Sequence, residues 1–400
     1  MTTTKQLIVC FKPGTKRTSC MHVHDKSKAK LVKELKDMDI HVVNVSTEEL
    51  SSCLSGYTAS EDVQYVEEDY RIQVEPIEEM RELSSVEPIR TTASTTDPLF
   101  ARQWGLENIN AQAAWELART STRSAKIAIL DTGVNQIHPD LRGKVIHQTN
   151  LSDALTAEDV HGHGTHVAGI AAAITNNGKG ISGISYNAAS IMNIKVLDDT
   201  GGGSSSDVAQ GIIYATNRGA NIINLSLGSE MSNETLRNAV RYAASNGVLL
   251  VGAAGNNGSD KMNFPAAYDD VLAVTATNRN NELAEFSNYG SWVDVAAPGE
   301  DILSTFSGEL SQSSSLYRVV SGTSQATPFI SGLAGLLKAS NPALTKGQIR
   351  AVIQRSSIPV SPGTIRFGKV DAMKAIELSQ NAVRSLPGKL PPVWWFHRNR

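Results

Sequence analysis

From about residue 97 onward, short unbroken apolar runs alternate with longer segments of helical spacing, and this rhythm limits the folds open to the chain. The runs are KIAIL at 126–130, SIMNIKV at 190–196, NIINL at 221–225, GVLLVG at 247–252 and VLAVTA at 271–276. A strand without polar alternation must be covered on both faces, which is the condition of a parallel sheet between helices. Helical patterns at 207–218 and 234–246 separate some of the runs, and Gly247 stops the second. The expectation is an α/β fold, a mostly parallel sheet with helices on both faces. In such sheets the site lies at the carboxyl ends of the strands.

Residues 5–75 have a different texture. QLIVCFK, IHVVNVS, VQYVEED and YRIQVE are strand-like, whereas DKSKAKLVKELKDM and TEELSSCLSGY are helix-like. This order predicts a small α+β, ferredoxin-like domain over residues 1–75. Residues 76–96, rich in Pro, Ser, Thr and mixed charge, form a linker to the main domain at 97–380. The segment 381–400 breaks all periodicity and is expected to be a flexible tail, with Trp394, Trp395 and Phe396 as its apolar content.

Charge narrows the functional classes. A formal net charge of -3 with both signs interspersed argues against a nucleic-acid partner. No apolar stretch is long enough for a membrane helix. The three cysteines, Cys10, Cys20 and Cys53, have no zinc-like spacing. No secretory core is legible near the N-terminus, so the chain as written reads as cytoplasmic, with secretion the alternative.

Three polar motifs follow apolar runs or open helices. Asp131 ends KIAILD ahead of Thr-Gly; alone, it is as well explained as a turn residue. HGHGTHVAGI places three histidines in six residues at a helix mouth, with His163 central, His161 expected exposed and His166 packed in the first turn. An imidazole there can serve as a base near neutral pH. In SGTSQATP, Ser324 stands where a helix begins, a position that suits a cap and also a nucleophile, because free N–H groups stabilise developing negative charge. A serine needs a base to take its proton, and the base needs an acid to fix its tautomer.

ILDTGVNQIHPDL, HGHGTHVAGI, INLSLG, AAGNNG and SGTSQATP together resemble the signature blocks of the subtilisin-like serine proteases, in the family's order. DPLFARQWGLENINAQAAW and AAITNNGKGISG are similar to the thermitase branch. The resemblance spans about residues 97–378, and residues 5–75 resemble the inhibitory propeptide of such enzymes, VQYVEEDYRI most clearly. It implies a zymogen of a broad-specificity serine endopeptidase that is cut within 76–96 and is a monomer when mature. Its partners are protein or peptide substrates and its own propeptide.

The same resemblance implies roles for individual residues. Asp131 orients the imidazole, His163 is general base and acid, Ser324 is the nucleophile, and Asn256 with the Ser324 N–H forms the oxyanion hole. In subtilisin itself, loss of that asparagine costs about 10²–10³ in turnover. Gly201, Gly202 and Gly203, with Ser226, Leu227 and Gly228, pair with the substrate backbone. Ala253, Ala254, Gly255 and Asn263 line the first specificity pocket, whose small residues suggest an apolar side chain. Calcium is the implied structural ion, held by Asp97, Asp140 and Asn177 with carbonyls of Ile174, Lys179 and Ile181. Gln325 and Phe329 depart from the family, which usually has Met and His there; Gln325 implies resistance to peroxide. Two other readings stay open: a metal-dependent hydrolase built on His161, His163 and His166, and a catalytically silent binding protein.

Overall fold

The computed structural model describes residues 3–74, 80–82, 95–118, 124–306, 316–361 and 364–385. Its centre is an eight-stranded sheet in which every neighbouring pair is parallel. In spatial order the strands are Gly368–Lys369, Val295–Pro298, Val271–Thr277, Leu249–Ala253, Ile222–Leu225, Ala125–Asp131, Ala189–Lys195 and Val145–Asn150. Successive side chains of one strand enter opposite cores: Ile127 and Ile129 on one face, Ala128 and Leu130 on the other. That double burial is why these runs carry no polar alternation.

One face is covered by the helices His163–Ala172 and Thr323–Ser340. The other is covered by Ser205–Asn217 and Glu234–Ser245. Both of the latter begin at a side-chain cap. Ser204 forms a capping box with Asp207, and the Asn233 side chain accepts from the Leu236 N–H. Among the described residues no helix is long and apolar enough to cross a membrane.

The N-terminal residues form a separate four-stranded antiparallel sheet with two helices: β1 Thr4–Phe11, α1 Arg17–Lys26, β2 Lys30–Leu35, β3 Ile40–Ser46, α2 Leu50–Thr58 and β4 Val63–Glu68, ordered β2-β3-β1-β4. The helix expected over 25–38 is not present. Its residues end α1, then form β2, because Lys28 takes a positive φ of 53° that breaks the helix and the next stretch pairs with β3. Cross-strand pairing overrides a helical charge pattern there. The strand β5, Arg71–Gln73, leaves this sheet and pairs with Gly202–Ser204 of the main domain.

Two boundaries differ from expectation. Within 76–96, Met80–Glu82 form a strand beside Tyr317–Val320, with Arg81 paired to Asp301, so this stretch is not wholly linker. The helix Ala372–Ser385 runs past the expected end of the main domain at 380. Trp394, Trp395 and Phe396 lie outside the described residues.

Candidate active site

Asp131 closes its strand at the carboxyl edge and is fully buried. Its Oδ1 accepts from the Thr132 N–H at 2.7 Å and lies 2.8 Å from His163 Nδ1. That bond fixes the imidazole with its proton on Nδ1 and leaves Nε2 as the basic nitrogen. His163 opens its helix against this strand end. The approach requires Gly164, where a Cβ would overlap the carbonyl oxygen of Gly133.

The helix has no side-chain cap of its own, since Gly162 holds the N-cap position. Asp159 supplies one. Its carboxylate accepts from Gly162 N at 2.8 Å, Thr165 N at 2.8 Å, Thr165 Oγ1 at 2.6 Å and Thr132 Oγ1 at 2.8 Å. Burial raises its pKa while these donors pull it back. Asp159 and Thr132 thus tie the strand bearing Asp131 to the helix bearing His163. An Asp four residues before a helical His is a capping signal the sequence carried and the motif reading passed over.

Ser324 lies in the first turn of its helix and is buried. Its hydroxyl donates to Ser226 O at 3.1 Å, and the Ser226 hydroxyl donates to Ser324 O at 2.8 Å. Asn256 is held by its oxygen, which accepts the Thr323 N–H and hydroxyl, both at 2.9 Å, so the amide nitrogen turns away from Thr323. Thr323 Oγ1 also receives the Gly255 N–H at 3.1 Å. Thr323 was not singled out in the sequence, where it is one small polar residue in a run of them.

Asn263 packs flat against Gly228 and donates to Ala253 O at 3.1 Å, so an amide stands beside the small residues Ala253, Ala254 and Gly255. The edges expected to bind peptide are both paired. Gly202, Gly203 and Ser204 face Gln73, Ile72 and Arg71 in antiparallel register. Val74 N donates to Gly201 O at 2.9 Å, and Gly228 N donates to Gln73 O at 3.1 Å. Leu227 is buried in the same apolar cluster as Ile72.

The other histidines do not join His163 in a metal-like group. His161 is partly buried rather than exposed, its ring edge-on to His163, and burial with the neighbouring His163 lowers its pKa to about 4. His166 is buried, its Nε2 3.2 Å from Arg318 O, with a pKa lowered by burial to about 3. Among the described residues no three His, Cys, Asp or Glu side chains form a metal-holding group. The hydrolase reading built on the three histidines therefore falls.

The residues expected to hold calcium do come together. Asp97 accepts from the N–H groups of Asn176, Asn177 and Gly178 and from the Ser182 hydroxyl. Asp140 accepts from Ile181 N, Tyr317 OH and Asn177 Nδ2, at 2.9, 3.0 and 2.9 Å. Ile174 N bonds Asp140 O, and Lys179 N bonds Asn177 Oδ1.

Residues 122–383 match the model of the subtilase family, the S8 peptidases. The chain belongs to the subtilase family. Thermitase of Thermoactinomyces vulgaris is 46% identical over 286 residues, covering 70% of this subtilase and 98% of thermitase. A thermophilic serine proteinase of Bacillus sp. (strain AK1) is 44% identical over 277 residues, 68% of this chain and 67% of that protein. Among solved structures, fervidolysin of Fervidobacterium pennivorans, a keratinolytic enzyme, superposes with a TM-score of 0.79 at 28% identity; 94% of this chain covers 61% of that one. A protease of Pseudoalteromonas arctica gives 0.66 at 32% identity, over 72% of this chain and all of that one. This subtilase is a serine peptidase, which displaces the reading of a silent binding protein.

Proposed function

We propose that this subtilase is an endopeptidase made as a zymogen, in which residues 1–75 fill the groove that peptide substrates later occupy. The observation that carries the reading is the pairing of Arg71–Gln73 with Gly202–Ser204 and of Gln73 with Gly228. Backbone pairing on two edges is how an extended peptide binds a sheet margin irrespective of most side chains. Ile72, fully buried, fills an apolar socket.

In the proposed reaction Ser324 Oγ attacks the substrate carbonyl as His163 Nε2 takes its proton. Asp131 holds the tautomer and stabilises the imidazolium. The Asn256 amide and the Ser324 N–H receive the oxyanion. His163 then returns the proton to the departing amine, and water repeats the sequence on the acyl-enzyme. The small walls of the first pocket suit an apolar side chain before the cleaved bond. Ser324→Ala should abolish both peptide hydrolysis and self-cleavage within 76–96; persistence of either overturns the assignment.

A calcium ion fits the chemistry of the donor set that the family resemblance implies, Asp97, Asp140 and Asn177 with carbonyls of Ile174, Lys179 and Ile181, which is all oxygen with two carboxylates. When bound it would supply a structural cross-link. These residues tie the segment at Asp97 to the loop at 174–182 and to Asp140. A chelator should lower the thermal midpoint of the Ser324→Ala protein, with calcium restoring it; no shift would remove calcium from the account.

A further inference from the structure

The far end of the same groove is acidic. A cleft of about 220 Å³ there is lined by Asp153, Asp198 and Asp207 of the main domain, together with Asp69, Lys33 and Arg71 of the N-terminal region. Two cations of the N-terminal region are seated in it independently. Lys33 pairs with Asp207. Arg71 lays its guanidinium over Gly202, where a Cβ would collide with it, a position open only because residue 202 has no side chain.

Asp198 is built into the rim. Its Oδ1 accepts from Thr200 N, Thr200 Oγ1 and Gly202 N at 2.8, 2.6 and 3.1 Å, so the carboxylate is fixed beside the strand that pairs with Arg71. Burial raises its pKa, but these bonds and the Arg71 charge lower it further, so the group stays ionised. Asp207 spends one oxygen on the Ser204 cap and gives the other to Lys33.

The pairing register says where Arg71 falls relative to the chemistry. Gln73 faces Gly228, so a peptide in this antiparallel register brings the second residue after Gln73's position opposite Ser226. The carbonyl of Ser226 receives the Ser324 hydroxyl, so that residue presents the bond to be cut. Counting back from it, Val74 holds the second position, Gln73 the third, Ile72 the fourth and Arg71 the fifth.

We propose that Asp198, Asp153 and Asp207 form a subsite for a cationic side chain, so that peptides with Arg or Lys as the fifth residue before the cleaved bond are preferred. The inference rests on the reading of 71–74 as occupying the substrate groove. Once residues 1–75 leave, three carboxylates lose Lys33 and Arg71, and a substrate's own cation takes their place. Such partly exposed pairs act mainly through capture and weaken in salt, so the preference belongs in kcat/KM and in low ionic strength.

The test uses the enzyme after maturation from the full chain and three quenched peptides that differ only at the fifth position: Arg, norleucine or Glu. Arg should exceed norleucine by about threefold to fivefold and norleucine should exceed Glu, with the order collapsing near 0.5 M salt. Asp198→Asn with Asp153→Asn should level the three peptides, the Arg peptide falling to the rate of the norleucine peptide; Asp153→Asn alone, at an exposed site, should halve the preference if the double variant does not fold. Equal rates for all three peptides on the unaltered enzyme overturn the subsite and leave the protease reading standing. A preference that survives the double variant overturns the assignment to these carboxylates. Failure to cut any of the three overturns the protease reading instead.

Discussion

Ser226 and Ser324 exchange hydrogen bonds in both directions, each hydroxyl donating to the other's carbonyl. The reason lies four residues further on. Pro328 sits inside the Ser324 helix and has no N–H to give the Ser324 carbonyl, so Ser226 Oγ supplies the missing donor. Asn224 Nδ2 and Ser331 Oγ extend the same buried network. The substrate edge and the nucleophile are thus one hydrogen-bonded unit.

Ser226→Ala should therefore destabilise the fold by about 1–3 kcal/mol, the cost of an unsatisfied buried carbonyl. Restoring the N–H with Pro328→Ala should recover at least half of that. Urea unfolding of both variants and the pair, made on Ser324→Ala to stop self-digestion, checks the coupling.

Thr323→Val should lower kcat about tenfold with KM little changed, because it removes one of the bonds that aim the Asn256 amide; losing the donor itself costs about 10²–10³ in subtilisin. Steady-state kinetics on a small peptide separates the two constants, and Thr323→Ser should restore most of the loss.

Two N-terminal carboxylates cap helices of the main domain. Glu67 accepts from the N–H groups of Glu234 and Thr235 at 2.8 and 2.9 Å, and Asp69 from Ser205 Oγ and Ser206 N at 2.8 and 3.0 Å. Each pairs negative charge with the positive end of a helix. Glu67→Gln and Asp69→Asn should weaken docking of the N-terminal region, seen as a shorter lag before peptide hydrolysis begins. An unchanged lag in both would separate these contacts from inhibition.

Acid should loosen the N-terminal domain. His24 is fully buried, with Nδ1 2.7 Å from Tyr57 OH and Nε2 2.8 Å from His41 Nδ1. Burial, then the charge of His41, lowers its pKa from 6.5 to about 4, against opposing Asp25 and Glu34. The unfolded chain binds the proton more readily, so this contribution is complete above about pH 6.5 and is lost as pH falls toward 4. Protection factors of β1 and β3 amides in the Ser324→Ala chain, taken relative to the intrinsic exchange rate at each pH, should fall over that window, and His24→Phe should flatten the dependence.

Gln325, buried beside Ser324, has no sulfur to oxidise. Activity should survive a peroxide dose that inactivates a Gln325→Met variant; equal loss in both would place the sensitive group elsewhere.

The main sheet was legible because its strands are buried on both faces and so lack polar alternation, as in Ile127–Leu130. β2 was not, since Lys30–Leu35 carries helix-like charge spacing and becomes a strand only by pairing with β3. Asp131, His163, Ser324 and Asn256 were legible as motif residues. Asp159 and Thr323 were not, because a capping carboxylate and a hydroxyl look alike in sequence whether they aim a catalytic group or close a turn.

By itself, the sequence determined which side chains could do chemistry and that they would stand at strand ends or helix starts, since apolar periodicity and backbone hydrogen bonding dictate those places locally. Only the tertiary structure decided what those groups bond to. Residues 71–74 lie against Gly201–Ser204 and Gly228, and Arg71 and Lys33 sit among Asp153, Asp198 and Asp207, about eighty residues or more distant in the chain. Such contacts depend on register and burial between distant segments, which no local pattern encodes.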